Sequence, residues 1–557
     1  MSDTTEAAVR RIREDSPTVD AVCRQLGREG DGDDGPLQVA FAEIFLSKAT
    51  HDFLRGRSTD ALAQLVEGAY GFLETSRPER VDVQVFNPDV DNEGWYAPVT
   101  VIRTNITERP FVVDTIREYL HAQDLPIEHN VYPVLHVDRD ENGAILGIKP
   151  SSEGGARESL VHCEITRVAD EPTLERLKAG LEDRLRDVRR ATDDFGAMTD
   201  QLRATAEELQ SLRDRVPGRG EEIDEARSFL EWLAEDAFVF LGYRGYDLIE
   251  KGAGSFVQVE EGSGLGILRD EGDSSFAAPV QVGDMPAAMR ELALEGPLLI
   301  ISKTNAEATV HRRARMDYIG VKKLGPDGRV TGERRFLGLF TSRAFGEQAE
   351  RIPILREKLR HILDDAAVAE GSHDYKEINS IFNSMPKEEL FLTSAQEIGR
   401  DIETVLTTYH AEGVRVTLRD DPLRRGVAVM VILPKERFSA EVRRRISKAL
   451  TEEFSGEVLN YHLALSAGDQ ARLHFYVAGD PDRIASADPT DLEVRVRELI
   501  RTWTDLVREG LERVRPGDEA RRLARVYGEA FAAEYQAATS PATAVRDILQ
   551  LEAMGAD

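Results

Sequence analysis

Cysteine is almost absent: Cys23 and Cys163 are the only two in 557 residues. Two cysteines this far apart exclude a disulfide framework and the cysteine-rich zinc modules. Long hydrophobic runs are missing too, and no apolar stretch approaches the roughly 20 residues that span a bilayer. The opening "MSDTTEAAVRRIREDSP" has no apolar core, so it does not read as a secretory leader. Lysine is scarce, at 12 of 71 basic residues. Heavy acid with little lysine suits a salt-adapted cytoplasm, and a codon bias toward arginine accounts for it equally. Positive charge is outweighed by 101 acidic residues, for a net −30. That balance argues against nucleic acid as the main partner, because phosphate binding needs excess positive charge. Together these absences predict a reduced, cytoplasmic chain without membrane or nucleic-acid partners.

What is present is globular: 41% apolar, 31% charged, with 23 prolines. The length predicts three or four domains. A β-rich block followed by a helical block recurs three times. In the first, Val81, Val83 and Val85 alternate as on a half-buried strand, and "APVTVIRTN" makes a second strand. Val112, Ile116, Tyr119 and Leu120 recur at helical spacing, with Pro110 in the expected first turn. Asn142-Gly143 is a hairpin turn. An apolar stripe from Leu174 to Leu202 predicts one long helix over about 172–215, either packing across domains or folding into a hairpin or coiled coil.

The second block, 226–345, repeats the plan and turns a hairpin at Asp327-Gly328. The two blocks are expected to be diverged copies of one structural unit. The third block runs over 413–480, with a helix starting near Ser439. The expected architecture is α+β: antiparallel sheets separated by amphipathic helical segments. The segments are 1–75 (helical), 76–170, 171–222 (helical), 223–345, 346–411 (helical), 412–482 and 483–557 (helical).

Few motifs carry chemistry. "GSGLG" at 262–266 resembles a dinucleotide fingerprint, but its third glycine comes one residue early and no helix follows, so a tight turn is expected. His462 and His474 can face each other across neighbouring strands, yet two histidines without a third ligand read as packed or exposed side chains. No catalytic, cofactor-binding or metal-ligating residue is assigned. Residues 301–343 are the exception to the acidic background, holding ten basic and four acidic residues. Lys303, Arg312, Arg313, Arg315, Lys322 and Lys323 form this basic island. Three readings stay open: an edge strand paired with the chain's own acids, a docking surface for another domain or subunit, or a pocket for a small anion or amino acid.

The blocks "PVTVIRTNITERPFVVDTIREYL", "GSGLGILRD", "ISKTNAEATVHRRARMDYIGVKKLGPDGRVTGERRFLGLFTSRAF" and "RVTLRDDPLRRGVAVMVILPKERF" resemble, in order, the N-terminal segment of the large bacterial NAD-specific glutamate dehydrogenases. The resemblance implies three ACT-like (ferredoxin-like) domains with helical connectors, used for homotetramer assembly and regulation. It implies NAD as the parent enzyme's cofactor, and as partners either copies of itself or a glutamate dehydrogenase catalytic domain, with an amino-acid effector possible. The sequence stops where that family would enter its dehydrogenase domain. The chain alone is therefore expected to be inactive, whether as a truncated frame, a fragment or a separately encoded regulatory subunit. Effector-binding ACT domains carry a glycine after the "D-R-P" turn. Here Phe111 follows Glu108-Arg109-Pro110, which favours a packing module over an effector site.

Overall fold

Thr50 and Ser58 each accept a backbone N–H from three residues on, and so start α3 (His51–Arg55) and α4 (Thr59–Thr75). With α1 (Pro17–Glu29) and α2 (Asp34–Leu46) they form the first helical layer. The computed structural model describes residues 16–29, 34–150, 157–216, 218–252, 254–408, 413–421, 426–465 and 469–554, so the first and last few residues of the expected helical ends lie outside it. The chain divides into two compact units, residues 1–286 with 292–345, and 287–291 with 346–557. Among the described residues no helix is long and apolar enough to cross a membrane.

The first sheet of unit one comprises β1 (Asp82–Phe86), β2 (Val99–Thr107), β3 (Ile127–Val131), β4 (Val134–Arg139), β5 (Ile145–Pro150) and β6 (Arg157–Thr166). Helix α5 (Val112–Ala122) follows β2 and α6 (Glu171–Asp193) follows β6. The strand order is β1-β2-β6-β4-β5, with β3 also on β6, all antiparallel. Ile102, Ile106, Val161, Cys163 and Ile165 pack on Ile116 and Leu120 of α5 and on the leucine stripe of α6. Val99, Val101 and Leu160 face α1–α4 instead. Covered on both faces, β2 and β6 are buried almost throughout. From β2 onward the path is strand, helix, four strands, helix; β3 and β4 follow one another along β6, so that with β5 as an added edge strand the plan is that of a ferredoxin-like sandwich. The strand that would close the sheet after α6 is replaced by β1, taken from ahead of β2.

Two expectations are corrected here. Pro110 is not in the first turn of α5; Phe111 is the N-cap, with φ +75°. The predicted long helix is two, α6 and α7 (Phe195–Leu212), broken at Asp194. The break has a partner: the Asp194 carboxylate accepts the Gly266 N–H at 2.7 Å and pairs with Arg269 at 2.7 Å. Tying the bend to another strand's turn outweighs continuing the helix. α6 therefore packs on the first sheet's core, while α7 packs on α8 (Gly220–Trp232) and the second sheet.

The second sheet holds β7 (Phe238–Lys251), β8 (Gly254–Val259), β9 (Leu265–Gly266), β10 (Val280–Gln281), β11 (Leu299–Glu307), β12 (Arg315–Leu324) and β13 (Val330–Phe340). Its order, β10-β8-β7-β13-β12-β11, joins two hairpin-linked groups through β7 and β13. The Asp327-Gly328 turn joins β12 to β13, with Gly328 at φ +77°. This connectivity differs from that of the first sheet, so the two blocks are not copies of one unit: in the second, α7 and α8 precede β7 and a short helix, Ala287–Leu294, falls between β10 and β11.

Unit two repeats the first sheet's order. Four helices, α9 (Leu355–Asp365), α10 (His373–Ser384), α11 (Lys387–Leu392) and α12 (Ala395–Thr408), precede β14 (Arg415–Asp420) and β15 (Val427–Pro434). Then come α13 (Ala440–Glu453), capped by Ser439 as expected, β16 (Glu457–Leu465), β17 (Gln470–Ala478) and α14 (Pro489–Leu499). The order β14-β15-β17-β16 is the same sandwich with its closing strand drawn from in front. A last bundle contains α15 (Trp503–Val514), α16 (Gly517–Tyr527) and α17 (Pro541–Met554), packed around Leu511, Leu523 and Ile548. Mixed helices and antiparallel sheets make the fold α+β, as expected.

Candidate functional site

The basic island occupies β11, β12 and the loop between them, and each cation has a partner within the chain. Lys303 lies 2.7 Å from Asp317. Arg312 donates to the Phe340 carbonyl at 3.0 Å, Arg313 to Glu307 at 2.6 Å and Arg315 to Asn305 at 2.9 Å. Lys322 is buried and donates to the Gly296 carbonyl at 2.6 Å; burial pushes its pKa down to about 8. Lys323 meets Asp247 at 2.9 Å and Glu260. The six do not converge. Arg312 and Arg313 border one cleft, Lys303 and Arg315 lie along β11–β12, and Lys322 and Lys323 lie farther along β12, near its turn.

The cleft has a volume of about 160 Å³ and includes Thr115, Tyr119, Arg184, Glu307, His311 and Arg313 in its wall. Its key contact is between two residues that sequence spacing could not pair. Phe111 ends the Glu108-Arg109-Pro110 turn at φ +75°, and His311 sits in the β11–β12 loop at φ +70°. Both are in the left-handed region that favours glycine, a strained conformation for side chains of this size. Their rings lie 4.9 Å apart at 45°. The His311 N–H donates to Thr115 Oγ1 at 2.9 Å, and His311 Nδ1 lies 3.5 Å from Asp114. Thr309 adds a hydrogen bond to Asp187 of α6 at 2.7 Å, where burial raises the carboxyl pKa. The turn that holds a ligand in effector-binding ACT domains is thus filled by the chain's own loop. The one advance signal was Phe111 standing where glycine is expected; His311 gave none.

Two buried polar layers were also not anticipated. On the face of the first sheet turned to α1–α4, Arg103 Nε donates to His162 Nδ1 at 3.3 Å, and His162 Nε2 lies 3.3 Å from Glu164, which also pairs with Arg57. His162 is fully buried, and burial lowers its pKa to about 4; with Nδ1 accepting, the ring is neutral with its proton on Nε2. On the matching face of the third sheet, Arg419 pairs with Glu389 of α11 and, at 3.0 Å, with Asp401 of α12; His474 Nδ1 lies 3.0 Å from Glu389. Burial alone would raise the Glu389 pKa, but His474 and Arg419 beside it outweigh that and hold it at about 2. His462 and His474 do pair across β16–β17, with rings 6.3 Å apart. His474 is buried against Glu389 and His462 is exposed, so the pair is structural. Among the described residues no group of three or more His, Cys, Asp or Glu could hold a metal ion.

The glycine loop does not fit a dinucleotide. Gly264 N–H donates to Glu271 at 3.1 Å and Gly266 N–H to Asp194, so carboxylates take the donors a phosphate would use. A Cβ on Gly266 would lie 2.2 Å from the Leu241 carbonyl oxygen, so glycine here serves close backbone packing.

Four segments of the chain match models of known families. Residues 41–181 match a family model described as glutamate dehydrogenase, ACT1 domain, and residues 415–504 match the ACT2 domain. Residues 352–410 and 511–554 match helical motifs 1 and 2 of the same enzyme. The NAD-specific glutamate dehydrogenase of Halomonas elongata is 30% identical over 522 residues, covering 91% of this chain and 32% of the relative. That of Pseudomonas aeruginosa is 29% identical, covering 93% and 32%, and that of Mycobacterium tuberculosis 27%, covering 78% and 26%. The chain therefore spans about a third of the length of the first two of these relatives. With four models matched in chain order and relatives aligned over nine-tenths of its length, the chain belongs to the family of the large NAD-specific glutamate dehydrogenases.

Proposed function

We propose that the chain is the non-catalytic regulatory and oligomerisation segment of an NAD-dependent glutamate dehydrogenase. The parent reaction converts L-glutamate, NAD and water to 2-oxoglutarate, ammonium and NADH, with NAD held by another part of the enzyme. We further propose three sheet domains, at 76–170, 223–345 and 412–482, with helical segments between and around them. One observation carries the reading: the ligand turn of the first ACT domain is occupied by Phe111 and His311. Supporting it, the glycine loop's N–H groups are spent on Asp194 and Glu271. Residues committed to internal packing suit a scaffold more than a catalyst. The test is an assay of the purified chain with glutamate and NAD, followed by NADH absorbance. No turnover is expected, and clear activity would overturn the reading.

A second reading is favoured by the cleft itself. Arg184 and Arg313 face Glu118 and Glu307 around about 160 Å³, a charge pattern suited to an amino-acid zwitterion. On that reading the chain is an amino-acid-sensing subunit acting on a separately encoded enzyme. Calorimetry with a panel of amino acids decides: binding lost in Arg313→Ala supports sensing, and no heat from any of them removes it.

A further inference from the structure

Among the described residues, Ile354 is the one β-branched side chain held at positive φ, +71°, with ψ −47°. These angles are near those of the strained γ-turn, and branching at Cβ makes them harder to hold. Pro353 fixes the chain on one side and α9 on the other, so the bend falls on Ile354. Strain of this kind persists only where the surroundings enforce it. The enforcing group lies one turn along α9. Lys358 N–H donates to the Ile354 carbonyl at 3.1 Å, and its side chain crosses to α11. There Nζ donates to the carbonyls of Leu390 at 2.7 Å, Phe391 at 2.9 Å and Thr393 at 2.7 Å. All three N–H bonds of the ammonium are thereby used, at a helix end that lacks donors and carries partial negative charge. Burial lowers the Lys358 pKa to about 8, which leaves it charged at neutral pH. α11 has a second attachment, since its Glu389 pairs with Arg419 and His474 of the third sheet.

We infer that α9 and α11 form a latched joint: Lys358 holds the start of α9 against the strain at Ile354, and α11 passes the state of the joint to Arg419 and His474. The joint has two arrangements. Latched, the ammonium closes the end of α11 and Ile354 stays strained. Released, Lys358 withdraws, the backbone at Ile354 relaxes, and α11 keeps only its grip on the sheet. Whatever binds the start of α9 better in one arrangement than the other is felt at the third sheet through α11, a continuous physical connection with two states.

Hydrogen exchange on the whole chain tests it, with residues 442–450 of α13 as the reference. Lys358→Met keeps the length of the side chain and removes its donors. Exchange at 352–362 and 386–394 is expected to accelerate by about tenfold or more while 442–450 keeps its wild-type rate. Wild-type rates throughout would mean that nothing is held, and equal acceleration at 442–450 would place Lys358 in the common core of the unit; either result overturns the latch. A second pair of variants leaves Lys358 in place. Ile354→Ala and Ile354→Gly both lose the branched side chain, but only glycine adopts this φ without strain. The glycine variant is expected to exchange more slowly than the alanine variant at 352–362. The reverse order overturns the strained joint, whatever the outcome at Lys358.

Discussion

Phe111 is held in a backbone conformation that opposes its side chain, and its ring contact with His311 compensates. The two effects separate by mutation. Phe111→Ala keeps the left-handed strain and loses the ring, and should cost about 1–3 kcal/mol at this half-buried site. Phe111→Gly loses the same ring but relieves strain of about 1 kcal/mol. Thermal melts should therefore rank wild type above Phe111→Gly, and Phe111→Gly above Phe111→Ala; the reverse order of the two variants would mean the turn is unstrained. His162 gives a pH signature. Its folded pKa, about 4, lies below an unfolded value near 6.5, so its contribution is fully present above 6.5 and is lost as pH falls toward 4. The loss is at most about 3 kcal/mol at 1.36 kcal/mol per unit. Denaturant midpoints measured from pH 7 to 4 should fall more steeply for wild type than for His162→Gln. Glu389, with a folded pKa of about 2, moves unit two in a lower window, with stability lost as pH falls below about 4.5.

At the scale of elements, the paired helices α6 and α7 depend on Asp194 more than on their own stripe. Asp194→Ala frees the Gly266 N–H and Arg269 and should cost about 1–3 kcal/mol. Hydrogen exchange should accelerate at 264–269 while the core of α6 stays protected; protection unchanged at the loop would contradict the tie. The roof over the third sheet is a buried ion cluster, so removing one partner is costly. Glu389→Gln leaves Arg419 with Asp401 alone and should lower stability by about 3–5 kcal/mol, whereas replacing Arg419, Glu389 and His474 together with apolar residues should cost less. This scale also shows what could be read from residues in order. Strands with strict alternation, such as Val81–Val85, and turns with glycine, such as Asp327-Gly328, were legible because their causes are local. The break at Asp194 was not, since its partner Gly266 lies 72 positions away. His311 meets Thr115 across 196 positions, so the contact that fills the ACT turn had no local signature. The basic island was legible as charge but not as paired charge, because Asp247 and Glu260 come from β7 and the loop after β8.

At the scale of the whole molecule, a net charge of −30 works against compactness at low ionic strength. Melting temperature should rise as salt is added from about 0.01 M to 0.15 M, where the screening length falls from about 30 Å to 8 Å. A falling melting temperature would show that internal ion pairs, not net repulsion, dominate. The first and third sheets share a reordered path, and this bears on how the protein is made. In a sandwich closed by its last strand, the final pairing must reach back across two helices and two strands. Here the closing strand lies next to its partner in the sequence: Phe86 pairs with Val101, and Asp420 with Val427. The pairing of longest range becomes one of the shortest, and lower contact order favours rapid folding. Each sandwich can begin forming from its first two strands while the rest is still leaving the ribosome, so neither waits for the residues that follow it.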